Sequence, residues 1–145
     1  VSWTNRLLAG IGQHLAANAG ATWRPTGAYT TADKWPVVIT AVPASPDEVI
    51  VLTPYSVTDD FGTSDVVQGV QVRTRGTRDP RPVSDRNDAI YDALHGLAHV
   101  VLNGVHIVSI ERNSAAYLGV DANGRHEYTS NFYVQAARPS THRTD

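Results

Sequence analysis

Residues 66–97, VVQGVQVRTRGTRDPRPVSDRNDAIYDALHGL, pass from a period-two pattern to a helical one across a proline-marked corner. Side chains two apart on a strand share a face, so Val66, Val70 and Val72 line one side of the first segment and Gln71, Arg73 and Arg75 the other. The valine side faces a core. The opposite side is basic, and Arg78 and Arg81 carry its charge into the corner, which predicts guanidinium groups presented from a rigid sheet. Arginine's planar fork suits carboxylates and phosphates alike. Asp79-Pro80-Arg81-Pro82 predicts no helix before Val83, with Ser84 or Asp85 as its cap. From there Ile90, Leu94, Leu97 and Val101 recur at helical spacing.

On the N-terminal side, Trp3, Leu7, Leu8, Ile11 and Leu15 predict an amphipathic helix capped by Ser2 or Thr4 and stopped at Gly20. A loop with Pro25 and Gly27 leads to a strand over residues 37–41. Residues 48–53, EVIVLT, are apolar on both sides, as a strand covered on both faces would be. Residues 54–65 then read as the longest polar connection, with Tyr55 and Phe61 as contact residues and Asp59, Asp60 and Asp65 as an acidic group. Toward the C-terminus, Asn103-Gly104 turns into a strand over residues 105–112. Asp121-Ala122-Asn123-Gly124 is a hairpin turn into residues 127–137, where Tyr128, Phe132 and Val134 share a face. This order predicts an α+β fold: a mixed, mostly antiparallel sheet of about five strands with two helices on one face. Residues 1–137 form one domain, and residues 138–145 a polar tail.

A length of 145 residues suits one domain with a real core, and 41% hydrophobic against 18% charged residues speaks against disorder. The net charge of −2 hides an asymmetry, because the acidic group precedes the arginine run; complementary patches of this kind favour self-association. With no cysteine there is no disulfide framework, thiolate metal site or cysteine nucleophile. No apolar run approaches the ~20 residues that span a bilayer, and no signal-peptide layout opens the chain. The expectation is a soluble protein made in the cytoplasm, with Val1 following either a removed Met or a sequence boundary.

His95 and His99 stand one helical turn apart, the spacing of a zinc-protease pair, but Gly96 occupies the place of the general base and no third ligand is marked. Asp121-Ala-Asn-Gly lacks the remaining ligands of a calcium loop. There is no phosphate-binding glycine loop, no nucleophile elbow and no carboxylate pair in apolar surroundings. The chain therefore reads as a non-enzyme without metal or cofactor. The arginines read as contacts to nucleic acid through phosphates, without sequence recognition, or to acidic residues of a neighbouring subunit.

Three stretches, residues 70–76 (VQVRTRG), 89–94 (AIYDAL) and 124–139 (GRHEYTSNFYVQAARP), resemble a known family. They are similar to the tail terminator and minor capsid proteins of long-tailed, siphovirus-type bacteriophages of actinobacteria. The resemblance covers the chain from Val66 onward and carries no catalytic residue. It implies a virion protein at the head–tail junction, assembled in the host cytoplasm. Six copies would form a ring that caps the tail tube, ends its polymerisation and joins the head connector. Its partners would be its own copies, the major tail tube protein, a head-completion protein, and genomic DNA passing without sequence recognition. On that reading Arg73, Arg75, Arg78, Arg81, Asp59, Asp60, Asp65, Tyr55 and Phe61 are the assembly or lumen contacts. Three rivals stay open: a neck protein one ring closer to the portal, a hydrolase using a metal on His95 and His99, and a free nucleic-acid-binding module using the arginines.

Overall fold

The computed structural model describes residues 1–144. Two helices and six strands follow the order α1 (Trp3–Asn18), β1 (Val37–Ile39), β2 (Val49–Asp59), β3 (Asp65–Arg75), α2 (Pro80–Leu94), β4 (Ala98–Leu102), β5 (Val105–Val120) and β6 (His126–Ala137). They build one sheet in the order β1-β2-β3-β6-β5-β4. The β1–β2 pair is parallel and the other ladders are antiparallel, so the α+β sheet is mixed, with six strands rather than about five.

The alternation in β3 sets the layers. Val66, Val70 and Val72 are buried against both helices, together with Phe132, Val134 and Ala136 of β6. Leu7, Leu8, Ile11 and Leu15 of α1 and Val83, Ile90 and Leu94 of α2 supply the other half of this core. At the N-terminus of α1 the Ser2 side chain accepts from the Asn5 amide, satisfying one otherwise unpaired donor. Ile50 and Leu52 of β2 join the same core, whereas Val49 and Val51, equally buried, lie outside it on the far face. That is why residues 49–52, VIVL, are apolar on both sides.

Several expectations are corrected. The supposed polar connection after Thr53 is strand: β2 runs on to Asp59 and pairs with β3 down to a short loop over residues 60–64. Pro54 does not break it, for a geometric reason. Ile50 N donates to Pro36 and Thr40 N donates to Leu52 O, so even-numbered backbone groups of β2 face β1. Pro54 faces the same way, beyond the end of β1, where no ladder bond is lost. The prolines after Arg78 do not delay α2 either. Asp79 is the N-cap and Pro80 the first helical residue, where an amide would have no intrahelical partner.

The helix also ends sooner than the Leu97 and Val101 spacing predicts. His95 leaves helical geometry, Gly96 takes φ +88°, and residues 98–102 become β4, turned into β5 by Asn103 and Gly104 in left-handed conformation. β1 stops at Ile39, shorter than residues 37–41. The tail is more than a polar end: Arg138 lies over the Trp3 ring and Arg143 donates to the carbonyls of Asp60 and Thr63. Residue 145, part of the expected tail, lies outside the described residues.

Candidate assembly surfaces

Apart from the buried Val49 and Val51, the face of the sheet turned away from the helices is largely polar, and many of its side chains engage one another. Tyr55 lies flat over Gly69, its cross-strand partner, and donates to Asn131 Oδ1 at 3.1 Å. Arg73 of β3 reaches Glu127 of β6 at 2.7 Å, and while the carboxylate is buried the guanidinium remains about two-fifths exposed. Arg75 is only 3% exposed and donates to the carbonyls of Asp47 (2.9 Å) and Pro46 (2.7 Å). Burial, then the charge of nearby Arg125, pulls the Arg75 guanidinium below its ordinary value. Arg125, just after the β5–β6 turn, donates to Asp121 (2.8 Å), Ala44 O (2.7 Å) and Asp47 (3.2 Å). Desolvation works against its charge, but Asp121 and Asp47 hold it above the ordinary value.

This arrangement revises the picture of a presented guanidinium row. The alternation places Arg73 and Arg75 on the far face as read, but residues 44–47 cross that face and occupy Arg75. Sequence spacing could not show a loop from elsewhere closing over the strand. Arg125 and Glu127, which organise the cluster, were missed; the Asp-x-x-x-Arg spacing around the 121–124 turn was the available signal. The corner arginines remain outside. Arg78 donates to Asn123 O at 3.0 Å, and Arg81 pairs with Asp79 at 2.8 Å while largely exposed. Hydrogen bonds from the Arg81 side chain and amide hold the Asp79 carboxyl down at about 2.

Asp59, Asp60 and Asp65 do gather with Phe61 at the β2–β3 tip. Asp60 accepts from Gly62 N (2.8 Å) and Thr63 Oγ1 (3.1 Å), and its carboxyl is lowered, first by the Gly62 amide. Phe61 projects from this braced loop at 99% exposure. The acidic tip and the arginine corner lie at opposite ends of the sheet, because Asp65 pairs with Ala137 and Arg75 with Glu127 along the same β3–β6 ladder.

A third surface was not anticipated. β4 covers β5 only as far as Ser109, and the bonds of Ile110 to Gly96 and Leu97 and of Arg112 N to His95 Nδ1 extend the cover slightly. Residues 113–120 have β6 on one side and no strand on the other. Tyr117, Leu118 and Val120 are each about half exposed there. The two histidines are separated by the end of α2: His95 stacks on Tyr91, and His99 sits in β4 with φ +53°. Among the described residues no group of three or more His, Asp or Glu side chains could hold a metal ion.

Comparison with known proteins adds two findings. A family model described as "Bacteriophage tail terminator protein" matches residues 14–138. Among solved structures, a chain of the "Virion of native gene transfer agent (GTA) particle" superposes with TM-score 0.65 at 20% identity, covering 92% of this chain and 96% of that one. At that identity the likeness is one of fold. No curated protein matches the sequence.

Proposed function

The chain belongs to the bacteriophage tail terminator family and is a structural protein of the virion, and from that premise we propose that six copies close a ring on the head-proximal end of the tail tube. The ring ends tube polymerisation and presents its other side to a head-completion protein of the connector. DNA passes through its channel without sequence recognition. The phage is long-tailed and its host an actinobacterium, as the motifs at residues 70–76 and 124–139 favour.

One observation in the geometry carries the assembly reading. Residues 113–120 leave a sheet edge open beside three half-exposed apolar side chains, and no proline or lysine guards it. Such an edge is an aggregation hazard in a free monomer and is safe when a partner covers it. The remaining contacts are assigned by position. Phe61, Asp59, Asp60, Asp65 and Tyr55 serve at or near one end of the sheet, and Arg78 and Arg81 at the other. Arg73 lies between them on the far face, and Arg75 acts indirectly by fixing residues 46–47. Heterologous contacts between different patches of one chain are what a closed ring requires.

Particles produced without this chain test the proposal. Negative-stain electron microscopy should show headless tails of uncontrolled, excessive length. Tails of normal length joined to full heads would contradict it, and normal-length tails left unjoined would place the chain in the neck instead.

A further inference from the structure

We propose that the Phe61 tip of one protomer seats in a groove on α1 of the next copy, an inference that rests on the ring reading above. The tip is built as an anchor. Asp60 binds the Gly62 amide and the Thr63 hydroxyl, and Arg143 ties the Asp60 and Thr63 carbonyls from behind. A loop held this way loses little freedom on binding, and it displays an aromatic ring that is almost wholly exposed. The Asp59 side chain beside it has no hydrogen-bond or ion-pair partner among the described residues, although its backbone belongs to the β2–β3 ladder.

The receiving surface is a groove of about 690 Å³ between α1 and the segment before β1. Ala9, Trp23, Pro25 and Ile39 form its apolar walls, with Gln13 and Arg6 on the helix. No carboxylate lines it, and the Arg6 guanidinium has no hydrogen-bond or ion-pair partner among the described residues. An apolar slot with a free cation complements an aromatic ring flanked by a free carboxylate. Phe61 is almost wholly exposed in its own protomer, so it is available to a second copy. A contact that joins one patch to a different patch on the next chain propagates around a ring until it closes.

The chain contains no cysteine, so an introduced pair reports only on this contact. With Phe61→Cys and Ala9→Cys in one chain, mild oxidation should give a ladder of covalent multimers that ends at the closed ring. Neither single variant should extend beyond a dimer. Phe61→Ser should weaken ring formation at least tenfold with an unchanged melting curve, because the ring it removes is fully exposed. Asp59→Lys should weaken it too, with Arg6→Glu restoring it. If native mass spectrometry shows the wild-type chain as a closed ring but the double-cysteine chain gives no ladder and Phe61→Ser assembles normally, this contact is wrong and the ring stands. If the wild-type chain closes no ring at any concentration, the ring reading fails, and this inference with it.

Discussion

Replacing Arg75 by Met keeps the stem that packs in the sheet and removes a buried guanidinium that holds two carbonyls of residues 46–47. Hydrogen bonds with a charged donor contribute about 1.5–3 kcal/mol each. Both freed carbonyls sit on a loop that water can reach once the guanidinium is gone, so the lower end applies, about 3 kcal/mol for the pair. Unfolding entropy is about 2.1 cal/mol/K per residue, or about 0.3 kcal/mol/K for 145 residues, so Tm should fall by about 10 °C. Arg78→Met is the matched control. Arg78 is exposed with a single hydrogen bond to Asn123 O, and its loss should cost under about 0.5 kcal/mol, about 2 °C or less. Calorimetry and urea unfolding measure both. If Arg75→Met melts within 2 °C of the unaltered chain, the guanidinium does not brace the loop, and Arg75 is not withdrawn from the contact surface by residues 46–47.

Other perturbations follow the same geometry. A Cβ at Gly69 would come within 2.6 Å of Tyr55 Cδ2, so Gly69→Ala should destabilise by about 1–3 kcal/mol. The penalty should vanish in a Tyr55→Ala background, and an equal penalty in both would show that the ring does not lie there. Asp79 is held at about 2, below its ordinary 3.8, so the stability it adds is present above pH 4 and is lost as pH falls through 2. Asp79→Asn keeps a cap but not the charge, so its urea midpoint should converge on that of the unaltered chain between pH 4 and 2. A gap constant across that window would remove the carboxylate from the account. Pro54→Val adds an amide at the open edge of β2, and light scattering should show faster association on mild heating. Unchanged scattering would mean that Pro54 does not protect that edge.

Much of the fold was legible because local and global preferences agree. The valine alternation of β3, the apolar run of β2 and the α1 stripe each bury the side that the pattern marks. The failures have physical causes. Residues 54–65 read as a polar connection, yet β2 continues through Pro54, whose nitrogen faces an edge left free by the short β1. Pro80 looked like a helix barrier, yet the first turn needs no amide there. Leu97 and Val101 fit a helical period by coincidence, and the left-handed Gly96 ends the helix before they are reached. On the candidate surfaces, the pattern fixed which face Arg73 and Arg75 occupy. It could not reveal that residues 44–47 fold across that face, because that contact spans nearly thirty positions. The open edge of β5 was hidden for a related reason: an unpaired flank is a property of its neighbours, not of its own residues.

The proposed closed ring of this chain between tail tube and head connector is open to direct observation. Electron cryomicroscopy of the head–tail junction in intact particles tests it most directly. The account predicts density for six copies of this fold in a single ring directly on the last tube ring. Density for the chain elsewhere in the particle, or for an open arrangement of copies that leaves the tube end uncapped, would contradict it.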